Sequence, residues 1–247
     1  MYLALPSSAS KDIYPENSPS HYSVQLKTPL IISRPCEIGL CEISYPNTID
    51  NVGPFTIHRK KEGEDIRTFD VKGGYFKDIK TLLNYIRVRH GIRFKYNEQL
   101  NRVTYFCDID EDIYMTKAGT EIHEEKWDLT LGFDNRKNYW KHDETKKIIF
   151  AGCPPAFDRV INTMYVYTDL IKDTIVGDIE AKLLRTVPII GEYNQYVTQE
   201  FENIYYHPIE KQFINSIEID IRDDTGAKID FRDTEVHLVF HLRWLST

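Results

Sequence analysis

Between Phe213 and Trp244 the chain alternates apolar and polar residues with period two. Ile217, Ile219 and Ile221 fall on one face, and Glu218, Asp220 and Arg222 on the other. Asp223-Asp224-Thr225-Gly226 supplies turn chemistry. A second run then places Val236, Leu238, Phe240, Leu242 and Trp244 inward, with Glu235, His237, His241 and Arg243 outward. A strand residue changes face at every step, so the pattern predicts two strands, each buried on one side. Antiparallel sheets with one wet face bury the other in two-layer sandwiches.

Pro6, Pro15 and Pro19 among many serines predict an extended N-terminal arm over residues 1–20. The rest, 21–247, is expected to be one domain. Tyr22, Val24 and Leu26 alternate with polar neighbours and predict a first strand; Cys36 to Tyr45 predicts a second. The second changes phase near Leu40-Cys41, as a bulge would. Residues 54–97 read as an insertion. Phe55–Lys61 and Ile66–Lys72 flank a Gly-containing loop, a hairpin signal. Phe76, Ile79, Leu82, Leu83 and Ile86 then recur at helical spacing, closed by Gly91. Lys77, Lys80, Arg87 and Arg89 form the helix's solvated face. Further strands are predicted near 102–107, 127–131, 160–168, 179–187 and 197–206. About nine strands around one helix imply an all-β fold: a single jelly roll, a two-sheet antiparallel sandwich with one helix-containing insertion.

Composition narrows the function. The chain has 247 residues and a formal net charge of −7, with no basic run longer than Arg59-Lys60-Lys61. Direct nucleic-acid binding is therefore not expected. The 16 Tyr and 12 Phe suit both sheets and interfaces. Cys36, Cys41, Cys107 and Cys153 form no C-x-x-C pair and read as reduced thiols of a protein made inside a cell. The N-terminus lacks the charged start and long apolar stretch of a signal peptide, so secretion is not expected. No apolar run approaches membrane-spanning length.

Candidate chemistry fails on spacing. His237 and His241 share a strand face but lie roughly 13 Å apart along it, too far to ligate one metal. His123-Glu124-Glu125 lacks the second histidine of a zincin helix. Asp108, Asp110 and Asp112 suggest a calcium loop, but the sixth and twelfth positions are Ile113 and Gly119 rather than Gly and Glu. Cys153-Pro154-Pro155 has no adjacent base and reads as a stiff loop. Nucleophile-elbow, phosphate-loop and dinucleotide fingerprints are absent. No catalytic, cofactor-binding or metal residue is assigned, and the chain is expected not to be an enzyme.

The order of several runs carries a family likeness. These are Met1 to Ser7, Tyr14 to Asn17, Gly39 to Pro46, Leu131-Gly132-Phe133, Tyr165 to Asp169, Val176-Gly177-Asp178, Leu183-Leu184-Arg185, Tyr205 to Ile209, Ile217 to Gly226 and His241-Leu242-Arg243. In this order the chain resembles the penton-type minor capsid proteins of Polinton (Maverick) elements, adintoviruses and related virophage-like viruses. It departs from their pattern at Thr168, Asp230 and Asp233-Thr234. The resemblance implies a jelly roll in a virion, five copies around each five-fold vertex of an icosahedral shell. Trimers of a double-jelly-roll major capsid protein would be the neighbours. It implies no activity, cofactor or membrane contact. Residues 1–20 would tether neighbouring capsid proteins.

Two rivals stay open. A carbohydrate- or receptor-binding sandwich, lectin-like or cytokine-like, could stack sugars on Tyr139 and Trp140. A cupin-type oxygenase would need two histidines and a carboxylate converging on one metal.

Overall fold

The computed structural model describes residues 1–108, 110–118, 130–133, 139–142, 146–156 and 161–245, with backbone only for 117, 139–142 and 146. In chain order, β1 (Tyr2–Pro6), β2 (His21–Ile31) and β3 (Cys36–Pro46) come first. Then follow β4 (Phe55–Lys61), β5 (Arg67–Val71), the helix α1 (Ile79–His90), β6 (Phe94–Asn97), β7 (Arg102–Asp108), β8 (Glu111–Lys117), β9 (Tyr139–His142) and β10 (Lys146–Phe150). The last group is β11 (Thr163–Thr168), β12 (Thr174–Val176), β13 (Ile179–Ala181), β14 (Leu183–Pro188), β15 (Tyr196–Glu200), β16 (His207–Pro208), β17 (Phe213–Arg222) and β18 (His237–Trp244).

The chain divides into two compact units, one made of 1–49 with 161–247 and the other of 50–160. In the first, one sheet runs β1-β18-β3-β15, with β16 also on β3, and the other runs β14-β11-β17-β2. Every pairing is antiparallel. Counted along the chain without β16 and the β12–β13 pair, the sheets read 1-8-3-6 and 2-7-4-5, the wiring of a jelly roll. The alternation of the tail is the cause. Ile217, Ile219 and Ile221 of β17 are fully buried, as are Val236, Leu238 and Phe240 in and before β18, and Leu242 is nearly so. They pack with Tyr22, Ile38, Leu40, Ile43 and Val166 into a continuous apolar core between the sheets.

The phase change in β3 is a bulge. Val239 pairs with Glu42 and Phe240 with Leu40, which leaves Cys41 as the extra residue. Ile38 and Leu40 before it, and Ile43 and Tyr45 after it, all remain buried.

The second unit has a core of its own, including Phe55, Ile57, Leu82, Ile86, Val103 and Met115. A sheet ordered β5-β4-β8 and one ordered β6-β7-β10-β9 supply its strands. Helix α1 starts where the Asp78 carboxylate accepts the Thr81 N–H at 2.8 Å. It ends at Gly91, whose φ of 72° lets its N–H reach the Arg87 carbonyl. Ile79, Leu82, Leu83 and Ile86 face inward, as the spacing predicts.

Five expectations change. Residues 1–20 are not a free arm: Tyr2–Pro6 pairs with β18, and Leu5, Ser7 and Ser20 are buried. The insertion covers 50–160 rather than 54–97, because strands with one buried face alternate alike whichever sheet they join. The single strand expected at 179–187 is two, β13 and β14, and that at 197–206 ends at Glu200. Trp244 points outward, 37% exposed, with the Arg34 guanidinium 5.2 Å from its ring centre. The strand expected near 127–131 lies largely outside the described residues.

Candidate functional site

The jelly-roll interior, where a cupin-type enzyme would hold its metal, is filled by side chains of the core just described. His237 and His241 project from the outer side of β18, opposite Leu238, Phe240 and Leu242. Among the described residues no group of three or more His, Cys, Asp and Glu side chains is placed to hold a metal ion. The chemistry of this unit therefore lies on its outer faces.

On the outer face of β18 the aromatic and cationic groups interlock. His241 Nδ1 is 2.7 Å from the Tyr206 hydroxyl, and the Tyr2 ring lies 4.6 Å from the His241 ring. The Arg243 guanidinium covers the Tyr206 ring at 3.6 Å while pairing with Glu37 at 2.8 Å. A second cluster clamps Arg185 between Phe201, at 3.8 Å, and Tyr205, at 4.4 Å. Its Nη1 donates to the Asn203 carbonyl at 2.8 Å. Guanidinium groups held over aromatic faces gain cation–π attraction and lose little entropy on meeting a partner.

The outer face of β11 and β17 carries a cleft of about 410 Å³ lined by Tyr167, Asp169, Ile179, Ala181, Asp220 and Arg222 among others. Ile179 and Ala181 belong to the short β12–β13 hairpin, tied at its base by the Thr174 hydroxyl donating to the Ala181 carbonyl at 3.1 Å. Arg222 Nε donates to Asp220 at 2.7 Å, and His21 lies 3.5 Å from Asp220 and 3.8 Å from Glu218. The Asp169 carboxylate accepts from Lys211 and from the Glu218 N–H.

In the second unit the acidic run is committed to ion pairs. Lys61 Nζ lies 3.7 Å from Asp108 and 3.8 Å from Asp110, and Lys147 pairs with Asp112. Glu111, 4% exposed, accepts from the Tyr105 hydroxyl and lies 3.3 Å from Arg59 Nε. Burial, reinforced by Glu111, pushes the Cys107 thiol up to about 12, the opposite of a reactive thiolate. All four cysteines are free. His123-Glu124-Glu125 lies outside the described residues, as do the side chains of Tyr139 and Trp140.

The spacing of residues did not point to the β12–β13 hairpin or to the Tyr206–His241 pair. The hairpin had a usable signal: Thr174-Ile175-Val176 and Ile179-Glu180-Ala181 flank the turn pair Gly177-Asp178. The pair joins residues 35 apart and has none.

No protein-family model matches the chain, and no curated protein matches it. A solved structure, the crystal structure of the selenomethionine-labelled mavirus penton protein, aligns over 99% of both chains at 10% identity, with a TM-score of 0.45.

Proposed function

We propose that this chain is a structural capsid protein of the penton type, a minor capsid protein that rings the five-fold vertices of an icosahedral virion. The observation that carries the reading is the strand order 1-8-3-6 and 2-7-4-5. That wiring serves shell proteins, lectins and cupins. A solid apolar interior with outward histidines disfavours the cupin use, and with it an enzymatic role. The runs that resemble penton-type minor capsid proteins also support it. Six of them fall on β1, β3, β11, β14, β17 and β18, six of the eight strands that make the sandwich. No described helix is long and apolar enough to cross a membrane.

The mechanism is geometric. A ring needs a heterologous contact in which one surface of each copy meets a different surface of the next. Stacked arginines and exposed aromatics such as Tyr205 suit contacts with the major capsid protein. Native mass measurement on the purified chain should show a species of five times 29.1 kDa, and electron microscopy should show closed rings. A homogeneous monomer or dimer, or glycan-dependent trimers, would overturn the reading.

A further inference from the structure

The two most exposed large apolar side chains among the described residues are Ile175, at 82%, and Val88, at 75%. Single exposed aliphatic residues are common and need no explanation. These two differ in having opposite charges arranged around them. Ile175 sits on the β12–β13 hairpin directly across from Glu180, on the same face of the ribbon. Asp173 two residues before it and Asp178 in the turn are exposed as well. Val88 lies on the outward side of α1 one turn after Asn84, flanked in sequence by the exposed Arg87 and Arg89. The helix contains no acidic residue.

The stretch around the helix leans the same way: residues 59–102 carry 12 Lys and Arg against 6 Asp and Glu, a net of +6, although their whole unit, 50–160, carries 20 against 19. The jelly-roll unit, residues 1–49 and 161–247, carries 11 against 19, a net of −8. One surface thus offers an aliphatic side chain set among carboxylates, and the other an aliphatic side chain set among cations. An apolar centre with a charged rim is the anatomy of a protein interface, and opposite rims fix which surface meets which.

We propose that these two surfaces meet between copies of this chain: the Ile175 face of one copy's hairpin docks on the Val88 face of the next copy's α1. The contact is head-to-tail, the class that generates rings. It deepens the ring reading and rests on it, naming the surfaces that close the ring. A two-stranded ribbon is marginal on its own, so docking also supplies the packing that the hairpin tip lacks.

The test is a charge swap read by light scattering. Asp178→Lys with Glu180→Lys reverses the hairpin rim, and Arg87→Glu with Arg89→Glu reverses the helix rim. All four positions are exposed, and thermal melts verify that each variant folds. Each pair of substitutions should weaken association by about tenfold or more, added salt should weaken the wild type, and the four-fold variant should reassociate. A wild-type pentamer unmoved by either reversal overturns this contact and leaves the ring standing. Loss in both reversals without recovery in the combination also overturns it. Association that follows the charges but yields another stoichiometry keeps the contact and overturns the five-membered ring. A wild-type chain that stays monomeric at every salt concentration overturns both.

Discussion

Tyr22 donates its phenolic hydroxyl to the carbonyl of Leu5 at 2.9 Å, a buried hydrogen bond that joins β2 in one sheet to β1 in the other. Both residues are 1% exposed. Burial, with a lesser push from Glu235, raises the phenol's pKa well above its usual value, so it remains a neutral donor. Tyr22→Phe keeps the ring in the core and deletes only the bond. A loss of about 1 kcal/mol is expected, a fall of roughly 2–4 °C in Tm for a chain of this size. An unchanged melting temperature would mean that this bond adds nothing to the packing and the other hydrogen bonds, such as Gln199 to the Pro188 carbonyl, that join the sheets.

The same bond shows why the first residues are part of the sandwich. Leu5 is buried in the main core, the Ser7 N–H donates to the Val236 carbonyl, and the Ser7 hydroxyl accepts the Val236 N–H at 3.0 Å. Removing residues 1–7 strips an edge strand from β18 and uncovers Leu238 and Phe240. The truncated protein should aggregate, or melt more than about 10 °C lower, since the lost leucine burial alone is worth about 2–5 kcal/mol. A truncation that melts like the full chain would restore the arm to a purely peripheral role.

What could be read from the sequence follows from how local the signal is. β17 and β18 bury one face against one core, and their alternation is unbroken from Ile217 to Arg222 and from His237 to Leu242. The β3 bulge was legible because one extra residue, Cys41, flips the apolar phase. β1 was not: a five-residue strand ending at Pro6 is too short to establish a period, and only β18, more than 230 residues away, makes it a strand. The unit boundaries were hidden because alternation reports that a face is buried without saying against which core. Trp244 follows the phase of Leu242 yet emerges from the sandwich, since phase does not mark where the facing sheet ends. The candidate contact surfaces needed exposure values, and exposure of Ile175 and Val88 leaves no mark in composition.

Stability should fall on mild acidification. Burial lowers the pKa of His58, against the opposing charge of Asp70, and its Nε2 lies 2.8 Å from the Thr116 hydroxyl. Burial also lowers His90, helped by Arg89, and His241, helped by the N-terminal ammonium and Arg243. A histidine whose folded pKa lies below its unfolded value of 6.5 takes up its proton more readily when unfolded. Its contribution is complete above about 6.5 and is lost as pH falls through that value toward the folded pKa. Asp78, Glu98 and Glu210, whose pKa values are held down by hydrogen bonds to Thr81, Lys80 and Lys182, act in a separate, more acidic window. Denaturant midpoints should therefore drop between about pH 7 and 5, and His58→Gln should flatten that slope. A midpoint constant across this range would refute the assignment.

In the second unit, buried Tyr105 and Glu111 with the half-buried Arg59 give a contrast in sign. Glu111 is held by the Tyr105 hydroxyl and by Arg59, whose side chain is about one-third exposed. Glu111→Ala leaves the buried phenol without its acceptor and Arg59 without its counter-charge, and should cost about 3 kcal/mol. Removing the polar groups together, as Arg59→Met, Tyr105→Phe and Glu111→Met, fills the same space with apolar atoms and abolishes the desolvation penalty. The triple variant should be more stable than Glu111→Ala, because a buried ion pair is often replaceable by packing whereas half of one is not. Hydrogen exchange on β7 and β8 reads this unit without interference from the jelly roll. If Glu111→Ala exchanges no faster than the wild type, or the triple variant exchanges faster than Glu111→Ala, the trio is not the stabilising centre that the burial of Tyr105 and Glu111 implies.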